Sequence, residues 1–401
     1  MRFRRVGAAV TAAAVGGVLA VVPVGAAAAA VDEGLVLHYA LTGEGSTAAV
    51  DLSGSGRDAT IVGDAVVGAD GLTFDGVDDY VDLPDNLTTG MDAISVSFDV
   101  LVDPALSGNH FMFNLGNAAV GNPQSGSGYL FMTNNATLLA KISDAAWGAE
   151  QAVTGPAALP RSTWKHVTYT LAEGTGRLYV DGTEVATNGA ITHIPADLGD
   201  GVTTANYLGR SAYAPDGLFK GKMKDFRLYD RALSVDEVTD LTAANAAVNL
   251  AADVAGLSLG DTSAVTADLT LPSAAPGGSA VSWETSDSAV VTAAGVVSQD
   301  APGGAVRTAT LTATLTHRGL TDTATFEITV LPAADDASLA QAAADALVVH
   351  NLDDVRGNLT LPTTGEHAAT VTWASSAPPR RGRGRGHVDR DRDGRRGRRH
   401  P

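Results

Sequence analysis

The chain has 401 residues, no cysteine and a net charge of −18. The missing thiols exclude a disulfide scaffold and any thiolate metal site. The Arg-rich end from Arg380 contributes +7 and the first five residues +3, which leaves −28 on the body between them, a field that repels nucleic acid and anionic membranes. Residues 1–30 read as an export signal: Met1 to Arg5 is basic, Val6 to Val24 is apolar, and Ala26 to Ala30 offers small-residue cleavage sites. The expectation is a secreted, extracellular protein, free of the membrane after cleavage.

From residue 31 to 245 the sequence alternates with period two. Leu35-Val-Leu-His-Tyr39, Ile94-Ser-Val-Ser-Phe-Asp-Val100, Phe111-Met-Phe-Asn-Leu115, Tyr129-Leu-Phe-Met132 and Arg177-Leu-Tyr-Val180 are strand text, punctuated by Gly, Asn, Asp and Ser. Asp181-Gly182 between two such runs predicts a type I′ hairpin. Many short strands over this length imply a two-sheet antiparallel sandwich. Ser234 and Glu237 have capping-box spacing and predict a helix through Val238 and Leu241 that stops near Asn245.

The second half repeats. Asp268-Leu-Thr-Leu-Pro272 returns as Asn358-Leu-Thr-Leu-Pro362, and Val281-Ser-Trp283 as Val371-Thr-Trp373, both at an interval of 90 residues. That interval is one immunoglobulin-sized sandwich. The first copy, 246–332, carries a full set of strand runs; the second, 333–376, stops after Ser376. An Arg/Gly-rich tail, 377–401, follows that cannot bury anything and reads as disordered. The abrupt change suggests a truncated or out-of-frame product, against the rival of a basic tail for polyanions. A half sandwich leaves an open sheet edge, so the second copy is expected to be unstable.

Three stretches carry a family resemblance: Gly71-Leu-Thr-Phe-Asp-Gly-Val-Asp-Asp-Tyr-Val-Asp-Leu-Pro84; Trp164-Lys-His-Val-Thr-Tyr-Thr-Leu171 with Arg177-Leu-Tyr-Val-Asp-Gly-Thr-Glu-Val-Ala186; and Gly217-Leu-Phe-Lys-Gly-Lys-Met-Lys-Asp-Phe-Arg-Leu-Tyr-Asp-Arg-Ala-Leu-Ser234. In this order they resemble the laminin-G-like (concanavalin A-like) jelly-roll module of secreted bacterial proteins, and the repeat resembles atypical bacterial Ig-like spacers. The resemblance implies an all-β chain: a jelly-roll sandwich, an Ig-like β-sandwich and a truncated second Ig-like repeat. It implies a monomeric, non-catalytic carbohydrate-binding and spacer portion of a secreted polysaccharide-degrading enzyme, with arabinan or another plant cell-wall glycan as partner and the catalytic domain absent. A cell-surface adhesion protein, and a hydrolase or lyase with an unrecognised site, are the alternatives.

Sugar sites need aromatic faces for the apolar side of the ring and polar groups for its hydroxyls. Trp164 is expected in the first core, and Trp283 and Trp373 in the Ig cores. Trp147, isolated in a Gly/Ala-rich stretch, is the candidate platform, with Tyr129, Asn114, Asn206, Arg210 and Tyr213 as partners on the same face. One structural calcium ion is expected from the family-like loop Asp51 to Asp58, joined by Asp225 from the late strand; Arg57 departs from the family pattern. No carboxylate run of the glycosidase type, no Gly-x-Ser-x-Gly and no His-Glu-x-x-His occurs. Leu361-Pro-Thr-Thr-Gly365 has the wall-sorting pattern, but no membrane-length apolar run follows it, and Leu271-Pro272 occupies the equivalent place in copy one.

Overall fold

The structure, a computed structural model, describes residues 31–43, 48–118, 126–213, 215–350 and 359–374. The expected export signal at 1–30 and the expected tail at 377–401 lie outside the described residues. The first module contains β1 (Leu35–Tyr39), β2 (Ala48–Ala49), β3 (Ala59–Val62), β4 (Val66–Gly68), β5 (Gly71–Asp75) and β6 (Tyr80–Asp82). It continues with β7 (Ile94–Val102), β8 (Phe113–Ala118), β9 (Gly126–Asn134), β10 (Leu138–Ser143) and β11 (Gln151–Thr154). β12 (Lys165–Ala172), β13 (Thr175–Val180), β14 (Thr183–Asn188), β15 (Tyr207–Leu208) and β16 (Lys220–Tyr229) complete it.

These strands form two eight-stranded sheets. One runs β14-β13-β12-β7-β16-β5-β4, with β1 also on β16; the other runs β11-β10-β9-β8-β15-β6-β3-β2. The predicted sandwich is present. Its core lies between the sheets, where Val96, Phe98, Val100, Phe113, Leu130, Met132 and Phe226 are buried. Phe98 crosses from one sheet to Phe113 of the other, ring centroids 6.0 Å apart and edge-to-face. Burying each such side chain contributes about 1.5–3 kcal/mol. The Asp181-Gly182 turn has both residues at positive φ, 48° and 79°, as a type I′ hairpin requires.

The back of the first sheet is buried as well. Ser95, Ser97 and Asp99 alternate with the core residues of β7 yet are all covered. Their cover includes α1 (Val235–Gly256), capped by Ser234 and Glu237 as predicted. The helix does not stop at Asn245. Its second half is rich in Ala, a strong helix former, and Leu250 and Val254 pack against the second module. The boundary near 246 therefore falls inside a helix that joins the two modules.

The second module has one three-stranded sheet, β17 (Ala280–Thr285), β18 (Arg307–His317) and β19 (Leu320–Val330). Val265 bridges to Val330 at the edge of this sheet, and a further bridge outside it joins Val291 to Val297. The core contains Val265, Val291, Leu311, Ile328 and Val330, with Trp283 packed against it. Trp164 is not a core residue of the first module alone. It lies at the junction, where its Nε1 donates to Pro276 O at 3.1 Å and Lys224 Nζ stands 4.4 Å over its ring. Gly278, at φ +104°, lets the chain pass this indole; a Cβ there would lie 2.9 Å from it.

The repeat is visible at the level of single hydrogen bonds. Trp283 Nε1 donates to Pro272 O at 2.9 Å, and Trp373 Nε1 donates to Pro362 O at 2.6 Å. The bridges Ala274 to Ala280 and Thr364 to Thr370 are likewise 90 residues apart. Copy two opens with α2 (Asp336–Asp345). Among the described residues it has no named strand, and Trp373 remains 43% exposed where Trp283 is half-buried. None of the described helices is long and apolar enough to cross a membrane.

Candidate functional site: an aromatic groove on the second sheet

β9 is apolar on both faces. Leu130 and Met132 point into the core, whereas Tyr129 and Phe131 join a separate cluster with Phe111, Leu139 and Tyr213. Phe111 and Phe131 meet edge-to-face at 4.8 Å, and Tyr129 and Tyr213 at 5.8 Å. This cluster forms the floor of a 480 Å³ hollow whose rim includes Trp147, Asn109, Asn135, Lys141, Glu150 and Asp216. Trp147 stands on the short 3-10 turn Trp147–Ala149 between β10 and β11 and is 73% exposed. An exposed indole beside an apolar floor, ringed by amides and charges, has the composition of a small-molecule or sugar site.

The polar groups are tied to one another. Lys141 Nζ and Glu150 Oε2 are 2.6 Å apart, and the Tyr129 hydroxyl donates to Glu150 Oε1 at 3.0 Å. Burial, with the hydrogen bond to Tyr213 and the charge of Glu150, pushes the Tyr129 phenol far above its ordinary pKa. It is thus a hydrogen-bonding group and the opposite of an activated nucleophile.

A second hollow of 400 Å³ shares Tyr213 and Asp216 with the first and adds Gly76, Asp78, Tyr80 and Arg210. The Arg210 guanidinium lies 4.5 Å from the Tyr80 centroid and 5.0 Å from that of Tyr207. Two tyrosine faces orient it by cation–π attraction. The two hollows meet at Tyr213 and form one groove. A larger hollow of 640 Å³ lies elsewhere, against Arg57, Asn86 and Met91, and no aromatic lines it.

The sequence candidates divide cleanly. Trp147 and Tyr213 line the first hollow, Tyr129 lies buried beneath it, and Arg210 and Tyr213 line the second. Asn114 and Asn206 are not in the groove: both are buried, and their amides are spent on backbone. Asn114 Nδ2 donates to Ala205 O at 2.7 Å; Asn206 accepts from Gly116 N at 3.0 Å and donates to Pro84 O and Thr203 O. The physical reason is the two-residue length of β15. So short a strand offers few ladder bonds, and side-chain amides supply the rest. Phe111, Phe131, Lys141, Glu150 and Tyr80 were not foreseen. The signal was the outward aromatic pair of β9, apolar residues on the side where a one-faced strand would be polar.

The calcium candidates do not form an oxygen cage. Asp51 accepts from His38 N, Ser53 N and Oγ, Ser55 Oγ and Arg57 N, all between 2.9 and 3.0 Å. Burial alone would raise its pKa; the backbone N–H groups of Ser53, Arg57 and His38 outweigh that and hold it well below the carboxylate range. Asp58 accepts from Asp51 N at 2.8 Å. Asp225 sits at positive φ in the bulge of β16, its Oδ1 2.7 Å from His38 Nε2 and 3.0 Å from the Arg227 guanidinium. Asp51, Asp58 and Asp225 Oδ1 thus face N–H donors and a guanidinium in place of a cation, while Asp225 Oδ2 is buried without a partner. Asp51 and Asp58 hold the backbone of their own loop. Asp51→Ala is expected to destabilise the protein by about 2–3 kcal/mol, measured as a lower denaturant midpoint; an unchanged midpoint would show that the loop folds without it.

Residues 75–239 match the model of the concanavalin A-like lectin/glucanases superfamily, and residues 244–333 and 337–397 match that of the atrophied bacterial Ig domain. The chain is a concanavalin A-like lectin/glucanase module followed by atrophied bacterial Ig domains. The first match contains the whole groove. The second runs to residue 397, past Ser376, where the sequence reading ended the repeat.

Solved structures of similar shape include a Trypanosoma rangeli sialidase in complex with sialic acid, at 22% identity and TM-score 0.41, covering 52% of this chain and 32% of that one. Domain 4 of a GH43 extracellular arabinanase from Geobacillus stearothermophilus, in complex with arabinotriose, has 20% identity and TM-score 0.39, covering 52% and 98%. The chain spans about a third of the length of the sialidases it resembles. No curated protein matches it.

Proposed function

We propose that the lectin-like module is a non-catalytic carbohydrate-binding domain of an exported, polysaccharide-degrading protein, and that the Ig-like units act as its spacer. The supporting observation is the exposed Trp147 beside the floor of Phe111, Phe131 and Tyr213. Aromatic faces take the apolar face of a sugar ring, while Asn109, Asn135, Lys141 and Glu150 are placed for its hydroxyls. Two hollows in line suit a chain of sugars better than a single one. Holding such a chain near a catalytic domain raises its effective concentration.

Binding without cleavage is favoured by the state of the charged groups. Glu150 is engaged by Lys141 and Tyr129, whereas a glycosidase needs a free pair of carboxylates flanking the bond. Arabinan and other neutral plant cell-wall glycans are the partners to try first, because the body of the chain is strongly acidic.

The test is a glycan array probed with the exported protein, followed by titration of the best ligand. Trp147→Ala is expected to weaken binding by about tenfold or more, with an unchanged melting temperature since Trp147 packs on little. Equal affinity in wild type and variant would remove Trp147 from the site. Reducing-sugar release from the same glycan would replace the binding role with an enzymatic one.

A further inference from the structure

We propose that the second hollow is a further sugar subsite that selects neutral glycans, with the Arg210 guanidinium donating to two adjacent hydroxyls of one ring. The inference rests on the reading of the groove as a glycan site and adds what that site chooses. Among the described residues, Arg210 is the only arginine whose guanidinium makes no hydrogen bond and no ion pair. The others face a carboxylate, as Arg227 faces Asp225, or donate to backbone, as Arg161 donates to Asp103 O.

The unspent group is nevertheless held in place. Its Cζ lies 4.5 Å from the Tyr80 centroid and 5.0 Å from that of Tyr207. Those two rings stand on the neighbouring strands β6 and β15 and meet edge-to-face at 5.5 Å. Ring faces attract the cation but take none of its N–H donors. Arg210 is half-buried and lines the 400 Å³ hollow. A ligand oxygen entering that hollow meets an oriented fork of donors that no described group has claimed.

Such a fork fits either a carboxylate or a pair of adjacent hydroxyls. The surrounding charge decides between them. Asp78 and Asp216 line the same hollow, and neither enters an ion pair with a described Lys, Arg or His. Asp82 feels the charges of both Asp85 and Arg210. One cation among these carboxylates leaves the hollow acidic, so a uronate entering it would be repelled. Hydroxyls suit both signs, since they accept from Arg210 and donate to Asp78 or Asp216. Tyr213 and Asp216 belong to both hollows, so a sugar at Arg210 continues a chain that begins at Trp147.

The test is calorimetric titration of the full chain with arabino-, galacto- and xylo-oligosaccharides, from the single sugar upward, and with oligogalacturonates as the acidic arm. Wild type is expected to prefer a neutral series. Its affinity should rise once the ligand is long enough to pass Tyr213 and should change little with salt. Arg210→Gln and Arg210→Lys should each lose roughly tenfold on the longer ligands and nothing on the shortest, whereas Trp147→Ala should weaken every length. Arg210→Lys keeps the cation over the tyrosines and so controls for folding, but a lysine lacks the paired donors. Wild-type affinity in Arg210→Lys would overturn the paired contact. Wild-type affinity in both Arg210 variants, with Trp147→Ala weakened, would overturn the subsite and leave the groove reading standing. Tighter, salt-sensitive binding of oligogalacturonate that is lost in Arg210→Gln would overturn the neutral preference. Binding of no probe by wild type, or affinity unchanged in all three variants, would remove the groove reading and this inference with it.

Discussion

Asp99→Ala is expected to destabilise the protein by about 3–5 kcal/mol, the cost of removing one partner from a buried ion pair. Asp99 is 1% exposed at the back of β7. Its carboxylate takes His166 Nδ1, Asn249 Nδ2 and the Arg318 guanidinium, each at 2.9 Å. Those partners come from β12, from α1 and from the β18–β19 turn, so one side chain ties the lectin-like module, the connecting helix and the Ig-like unit. Burial by itself would raise its pKa; the hydrogen bond and charge of His166 and the charge of Arg318 outweigh it and hold the group ionised.

The rest of the junction depends on that charge. Arg318 is reached through a turn in which it and Gly319 both have positive φ, 45° and 85°. Its Nε and one terminal nitrogen are already buried without hydrogen bonds. Without Asp99 it would keep only the Asp181 carboxylate, 3.2 Å from its Nε. Asp253 closes the far end of the helix by accepting from Gly277 N, Ser279 N and Ser279 Oγ. A denaturant melt measures the loss in Asp99→Ala. In Arg318→Ala, limited proteolysis should cut faster in the segment after Gly256 while the sandwich core stays resistant. A loss below about 1 kcal/mol in Asp99→Ala would show that the modules are held by their apolar contacts alone.

Acid should unfold the protein in two stages. His110 and His317 are held below their ordinary pKa, by burial first and by nearby Arg and Lys charges second. The unfolded chain therefore takes up these protons before the folded one, and stability falls as pH drops through about 6.5. The second stage belongs to depressed carboxylates. Asp51 and Asp99 lie well below the usual range, and the hydrogen bond from Arg231 with the capping box brings Glu237 down to about 2. Their contribution is full above about pH 4 and is lost as pH falls further; a carboxylate held two units low supplies about 2.6 kcal/mol. Protonating Asp99 also removes the carboxylate between Arg318 and Lys224, leaving Arg318 to Asp181 and Lys224 to the charges of Asp253 and Asp70. Asp79 and Asp82 run the other way, since burial raises both, and they offset part of the loss. Melting temperature should be level above pH 7, decline gently from about 6.5 and drop steeply below about 4. A level profile down to pH 4 would remove the histidines from this account, and the absence of a steep drop would remove the carboxylates.

Much of this was legible in the chain itself. Strand text at Ile94 to Val100 and Tyr129 to Met132, the Asp181-Gly182 turn, and the Ser234–Glu237 cap are local signals, and each appears where it was expected. The 90-residue repeat returned as the same Trp-to-proline hydrogen bond in both copies. Trp147 was legible as a surface residue because no large apolar residue flanks it in sequence, only Ala and Gly. Asn114 and Asn206 were misread because a polar side chain near a strand end looks the same whether it faces solvent or satisfies backbone. The Asp51, Asp58 and Asp225 set was misread for a related reason: sequence shows the carboxylates but not the N–H groups already pointed at them.

The sequence by itself determined the two-sheet sandwich, the order of its modules and the type of several turns, because period-two burial and φ-restricted turns are properties of neighbouring residues. Only the tertiary structure decided which of the expected partners complete a groove with Trp147: Tyr213 and Arg210 line it, Asn114 and Asn206 do not. It also decided that α1 runs on to serve both modules. Each of these depends on which strands become neighbours, and side chains far apart in the chain acquire their charge environment and hydrogen-bond partners from that pairing alone.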